Sequence, residues 1–516
     1  MFKKYQRLCA IALFIIVVAV FHFSSPNIPE PDSFYYLGLG SLYRSQGIFN
    51  TELSSLPYTV IKTLSSSLWY GFGLFMLPFS FFNNPAFAIK LAGVFLTVFA
   101  LTLYYLAARR HDLKFAALWP LLLLFSAPNV LFSFLMTRPQ LLSFGLGILL
   151  FSFLISGGAW SVFLISSGLV WFHMNFAWLP FALLGAVIVT RLFIEKRVEW
   201  HKIAAVLGGI ITGWLFRPEA INAAKLFYIQ IFKLIFEKQS GLPLLFGNEN
   251  LPLSIATLFK NFTPLMLLWG AAMAIFIWVL IKKIPALPAF RKTFLWSSLL
   301  LSTVFFFLTM LVARKAYGFW VGFSLLFVGA VFTYIILSLP TRHQKSIKNA
   351  ALAAIMGVLL FTFFYSGYKN TISLANNALP PDKLKEAALW LKNNSDPGDI
   401  VFNLHWSDFS PLFFWNQKNY YVGGLDPIFQ YSYNPELYWK FHYLSADLVA
   451  EKTCGAIACA EEMLEDTYEV LVRNFNAKYI VLTKQQNPSV NSFLESDARF
   501  EKKLDTKREA IYLIKR

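Results

Sequence analysis

Two acids, Glu30 and Asp32, stand in the stretch SSPNIPEPDSFYYLGLGSLYRSQGIFN, each led in by a proline. A carboxylate at such a position can take a proton from an attacking hydroxyl, which makes Asp32 the first candidate general base and Glu30 the second. Asp32 also has a structural role open to it, as the N-cap of the helix that follows, accepting from the Tyr35 amide. Basic residues recur where apolar runs begin or end: Arg138 in LMTRPQLLSF, Arg217 in WLFRPEA, and Arg314 with Lys315 in LVARKAYGF. A guanidinium there can grip a phosphate through two parallel hydrogen bonds and neutralise it as a leaving group. The same side chains can instead snorkel to ordinary lipid headgroups. His173 and Asn175, in VWFHMNFAW, fall between two apolar runs, where the imidazole either donates to a phosphate or sugar or is a satisfied structural residue. The chain has no HExxH, GxxxxGKS, GxSxG or CxxC, so zinc hydrolase, P-loop and serine hydrolase chemistry find no support.

These residues must be held by membrane-spanning helices. The 516 residues are 57% hydrophobic and 14% charged, with mean hydropathy +0.54, too apolar for an ordinary soluble domain. Apolar windows near 8–24, 86–107, 115–131, 140–157, 159–173, 176–193, 203–216, 263–281, 293–312, 318–338 and 349–367 predict about eleven transmembrane helices. The net charge of +17 sits in short clusters between these windows: MFKKYQR, Arg109 to Lys114, Arg191 to Lys202, Lys282 to Lys292 and Arg342 to Lys348. Such clusters are topology signals rather than a nucleic-acid footprint, so no nucleic-acid partner is expected. Placing all five on the cytoplasmic face puts the N-terminus inside and the C-terminal tail outside. The first apolar run lacks a small-x-small cleavage site and reads as an uncleaved span. Residues 58–82 are apolar enough to cross, but counting them would reverse the Arg109–Lys114 cluster, so they are laid along the outer interface. A transmembrane domain over 1–368 then carries outer loops at 25–85 and 217–262, the second with the alternating apolar and basic pattern of another interfacial helix.

Residues 369–516 regain charge and alternate helix with strand, predicting an extracytoplasmic α/β domain. PPDKLKEAALWLKNN places Leu384, Ala387, Ala388 and Leu391 on one helical face, and helices are expected near 434–450, 461–476 and 489–498. DIVFNL, YYVGGL, KYIVLT and AIYLIK read as strands. Of the three cysteines, Cys9 lies in the first apolar run, while Cys454 and Cys459 are close enough in sequence to bridge outside the cytoplasm.

With these parts in order, the chain resembles the GT-C superfamily of polyprenyl-phosphate-sugar-dependent membrane glycosyltransferases. PEPDSFYYLGLGSLYRSQGIF is similar to the family's first-loop pattern, an acid followed by an aromatic pair, here Tyr35 and Tyr36, and a helix ending in Gly. TRPQLLSFGLGILLFS resembles its Arg-Pro turn at the start of a span. VWFHMNFAWLPFALLGAVI is similar to a Trp-x-Asn-x-His-Gly segment of one bacterial branch, with His173-Met174-Asn175 in place of its His-Gly. In that branch the tail carries a VFN strand with a Trp turn and a Gly-x-Asp, matched here by Val401 to Trp406 and by Gly424-Leu425-Asp426.

The resemblance implies a multi-pass protein of a bacterial inner membrane. It would move a sugar from a polyprenyl-phosphate donor to a glycan, lipid or protein acceptor outside the cytoplasm, with inversion. Asp32 would be the base, with Glu30 beside it. Arg138 would contact phosphate, and His173, Asn175, Arg217, Arg314, Lys315, Tyr35 and Tyr36 would bind substrate. Some members use a divalent metal; with no Asp-x-Asp here, neither metal nor other cofactor is expected, and membrane lipids are the remaining partner. The competing expectation is a non-enzymatic transporter or glycan-assembly partner with a binding tail. The chain shows no internal repeat, and its acids sit at the rim of the apolar bundle rather than mid-span, which favours the enzyme.

Overall fold

The computed structural model describes residues 2–245, 247–282, 287–338 and 344–516; Lys283 and Arg342, counted above among the basic clusters, lie outside these. The chain divides into two compact units, one built from 1–29, 90–216 and 248–378, the other from 30–89, 217–247 and 379–516.

Among the described residues, eight helices are long and apolar enough to cross a membrane: Gln6–Phe23, Pro85–Arg110, Pro139–Ser156, Met174–Glu195, Ile255–Ile281, Ala289–Leu311, Arg314–Ser338 and Ser346–Asn376. The chain is a multi-pass membrane protein of mainly helical architecture. The other three expected spans take a shorter form. The window 115–131 is two helices, Leu118–Phe125 and Pro128–Leu135. Pro128 has no N–H to offer and forces Ala127 into an extended conformation (φ −157°, ψ 153°), which breaks the run. The windows 159–173 and 203–216 appear as Ala159–Phe172 and Trp200–Leu215, helices of 14 and 16 residues packed on each other. Their contact is set by Gly209 and Gly213 of GIITG: a Cβ built on Gly209 would fall 2.5 Å from the Phe163 carbonyl oxygen, and one on Gly213 would fall on that of Ser167. Only hydrogen fits between these backbones, the geometry of a Gly-x-x-x-Gly contact. The basic run after the preceding helix is internally compensated, with Arg191 and Lys202 both on Glu199 and Arg197 on Glu195.

The second unit gathers the segments 30–89 and 217–247 and the tail from 379. Residues 58–82 form no single long helix: Val60–Leu64, Tyr70–Met76 and Leu77–Phe81 run 5, 7 and 5 residues. The first ends where Ser65 turns left-handed (φ 44°) at the start of a serine run. The segment 220–239 is helical throughout, burying Ala223, Leu226 and Leu234 while Ile221, Tyr228, Phe232 and Phe236 stay exposed.

The tail is built on a five-stranded mixed sheet. Its strands are β1 (Ile400–Asn403), β2 (Tyr420–Tyr421), β5 (Ala477–Thr483), β6 (Phe500–Asp505) and β7 (Glu509–Ile514), in the order β2-β1-β5-β7-β6. β1 runs parallel to β2 and β5, and β7 antiparallel to β5 and β6. A separate short hairpin pairs β3 (Lys452–Thr453) with β4 (Glu465–Asp466). Four strands match the expected segments; β6, FEKKLD, is too charged to have been read as one. The helix Lys385–Asn394 buries Ala387, Ala388 and Leu391, the predicted face. Phe402, Ile480, Leu482, Phe441 and Tyr512 form the core beneath the sheet. Asn403 ends β1 by clasping Gly423 both ways, its Nδ2 donating to the Gly423 carbonyl at 2.7 Å and its Oδ1 accepting from the Gly423 amide at 3.2 Å. Asp426 caps the helix Pro427–Tyr433. The tail motifs quoted above are thus fold-holding residues. Cys454 and Cys459 form a disulfide, with Cα atoms 6.2 Å apart.

Candidate functional site

In the first unit, a cavity of about 660 Å³ collects charge from distant parts of the chain: Arg138, Lys260, Arg314, Lys315 and Lys369 against the single acid Glu249. Each arrives by a local device. Pro139 starts the helix Pro139–Ser156, and Arg138 is extended at its N-cap position. Glu249 rides on the short turn Asn248–Asn250, pinned by the Arg314 amide donating to the Leu251 carbonyl at 2.7 Å and by Lys315 Nζ donating to Asn250 Oδ1 at 2.7 Å. Lys260 lies in the first turns of Ile255–Ile281, a helix capped by Ser254, whose Oγ accepts from the Thr257 amide. The Tyr317 hydroxyl donates to the Asn129 carbonyl at 2.9 Å and helps close the wall.

Within the cavity Arg138 Nη1 donates to Glu249 Oε2 at 2.6 Å. Burial pushes the Glu249 carboxyl up, but the Arg138 guanidinium and, beyond it, Lys315 outweigh that and hold it below its usual range. Phe132, Phe134, Phe144, Phe176 and Phe319 supply an apolar wall. A space lined by an excess of cations and by phenyl rings suits a ligand that is both anionic and apolar.

The expected site residues divide as follows. Arg138, Arg314 and Lys315 line this one cavity. His173 is buried beside it, its Nδ1 2.8 Å from Ser143 Oγ and its ring against Phe176, which does line the cavity; Asn175 is buried on the same turn. Arg217 belongs to the second unit, where it is 5% exposed and its Nη2 donates to the Ser67 carbonyl at 2.5 Å. Burial pulls its guanidinium down to about 10, while Tyr43 and Tyr70 act the other way.

Asp32, also in the second unit, is the first residue of the helix Asp32–Gln46 and is half-buried. The N-cap position falls on Pro31, and Glu30, 4% exposed, bonds this helix start: its Oε2 accepts from the Asp32 amide at 2.9 Å and its Oε1 accepts from Ser33 Oγ at 2.6 Å. The rings of Tyr35 and Tyr36 are buried in an aromatic cluster with Trp69, Phe72 and Phe413. Burial, then Tyr43 and the Asp32 carboxylate, push the Tyr35 hydroxyl well above its usual range, against a hydrogen bond with Ser67 that acts the other way.

Sequence reasoning missed Glu249, Lys260 and Lys369. Glu249, in the polar run GNEN just ahead of an apolar helix, carried no motif, and its partner lies 111 residues away.

No family model and no curated protein matches this chain. Among solved structures it is similar to ArnT from Cupriavidus metallidurans, crystallised in the apo state, with a TM-score of 0.51 and 13% identity over 97% of both chains. At that identity the likeness is one of fold, and it runs the length of the chain. The expected architecture, membrane-spanning helices followed by a C-terminal region with a small mixed sheet, is observed, with eight long apolar helices among the described residues where about eleven were expected.

Proposed function

We propose that the chain is a membrane glycosyltransferase that moves a sugar from a polyprenyl-phosphate donor to an acceptor hydroxyl on the extracytoplasmic side of a bacterial inner membrane. The observation that carries this reading is the cavity of the first unit, where Arg138, Arg314 and Lys315 meet beside a phenyl wall inside an ArnT-like fold. The donor phosphate sits among these cations and the isoprenoid chain runs along the rings. The acceptor oxygen forms its bond to the anomeric carbon as the bond from that carbon to the phosphate oxygen breaks, so the centre inverts. Asp32 takes the hydroxyl proton. The departing electron pair stays on the polyprenyl phosphate, whose growing charge the guanidiniums stabilise. No metal or other cofactor enters this scheme. The acceptor is a glycan, lipid or protein surface.

The test is direct. Full-length protein in nanodiscs is given a panel of undecaprenyl-phosphate-linked, radiolabelled hexoses and pentoses together with envelope extracts. Label should leave the lipid fraction for an acceptor, with undecaprenyl phosphate released. If every donor is bound and none is cleaved, the chain is a carrier or assembly partner and the enzyme reading is wrong.

A further inference from the structure

The two members of the Arg138–Glu249 pair are unequal. Arg138 is 14% exposed and fixed at the mouth of a long apolar helix by Pro139, whereas the Glu249 side chain is 40% exposed. The backbone under Glu249 is held, since Leu251 accepts from the Arg314 amide and the Leu253 amide donates to the Thr309 carbonyl at 3.0 Å. What remains free to swing is the carboxyl end of the side chain. A second cation is close by along the chain: Lys315 lines the same cavity, and its Nζ donates to Oδ1 of Asn250, the residue next to Glu249. The cavity lining has five basic residues to one acid, so an empty cavity repels itself unless an anion is resident.

A carboxylate and a phosphate offer a guanidinium the same thing, two oxygens for two parallel N–H donors. We propose that Glu249 is a resident stand-in for the substrate anion: its carboxylate occupies Arg138 while the cavity is empty, gives way to the donor phosphate, and swings to Lys315. This rests on the reading of the cavity as the donor site. The exchange works in both directions. Glu249 weakens the hold on any phosphate that enters, and by returning to Arg138 it expels the polyprenyl phosphate left after transfer. Glu249 is then a residue that sets donor affinity and product release without touching the reacting atoms.

The experiment measures binding of undecaprenyl phosphate and of inorganic phosphate to the full-length protein in nanodiscs, for wild type, Glu249→Gln, Arg138→Gln and the double variant. Glu249→Gln keeps the shape and removes the competing charge. It should bind undecaprenyl phosphate about fivefold more tightly or better, the scale of a partly exposed ion pair, and release it more slowly. The gain should vanish in the Arg138→Gln background, since it acts through that guanidinium. Inorganic phosphate should gain in parallel; a gain confined to inorganic phosphate contradicts the lipid assignment. Weakened or unchanged lipid binding in Glu249→Gln makes the acid a brace for Arg138 and overturns the exchange. Should Glu249→Gln fail to fold, Glu249→Asp keeps the charge but shortens the reach, and must show a smaller gain of the same sign. If Arg138→Gln and Arg314→Gln both bind undecaprenyl phosphate like wild type, the donor-site reading itself falls, a result distinct from failure of the exchange alone.

Discussion

Replacing Asp32 by Asn and Glu30 by Gln should separate chemistry from capping. Glu30 is 4% exposed and accepts two hydrogen bonds, from the Asp32 amide at 2.9 Å and from Ser33 Oγ at 2.6 Å. Glutamine removes the charge and turns one acceptor into a donor facing a donor. One charge-assisted bond is lost and a buried N–H or O–H is left unmet, a cost of about 2 kcal/mol, in line with the roughly 1 kcal/mol of a lost helix cap. Asp32 is half-buried, and Asn keeps the shape of the side chain and an oxygen able to accept, so Asp32→Asn should stay within about 0.5 kcal/mol of wild type. Loss of a general base, by contrast, should lower transfer by about 10²-fold or more. The assays are thermal unfolding of the solubilised full-length chain, followed by tryptophan fluorescence, and release of label from the lipid-linked donor. The expected pattern is crossed: Glu30→Gln melts earlier with transfer largely kept at low temperature, and Asp32→Asn melts normally with transfer lost. Full activity in Asp32→Asn refutes the assignment of the base. A 10²-fold loss in a normally melting Glu30→Gln would move the base to Glu30.

Gly213→Val should separate the helices Ala159–Phe172 and Trp200–Leu215, because its Cβ falls on the Ser167 carbonyl; a loss of about 1–3 kcal/mol is expected in thermal unfolding, and a neutral result would mean the two helices do not meet there. Thiol titration of the unreduced, unfolded chain should find Cys9 alone reactive, and reduction should expose Cys454 and Cys459 while costing the tail about 2 kcal/mol for so short a loop. Alkaline phosphatase fused after Arg516 should be active if the basic clusters face the cytoplasm; an inactive fusion, with a cytoplasmic reporter active instead, inverts the topology.

Much of the architecture is written in local pattern. A run of some twenty apolar residues can satisfy its backbone in a membrane only as a helix, so the windows beginning near 86, 140, 176, 263, 293, 318 and 349 appear as helices wherever they are described. Alternation and β-branching marked β1, β5 and β7; the spacing of Cys454 and Cys459 allowed a bridge but equally allowed two unpaired residues on a helix, and the tertiary structure decides for the bridge. Arg138, Arg314 and Lys315 were legible one by one, because a cation at the end of an apolar run needs a reason. Glu249 at Arg138 was not legible, nor was the burial of Arg217 on Ser67 in the other unit. That Glu30 bonds the start of this helix also escaped the sequence, since two acids two residues apart both suit a helix start and only the φ/ψ path through Pro31 decides that the Glu30 carboxylate reaches forward to the Asp32 amide. Periodicity and hydropathy act over a few residues and fix what each segment becomes. Which charges share a space depends on the path of the chain between segments, and that path is chosen by packing contacts such as Gly209 and Gly213 against backbone, whose partners no local pattern names.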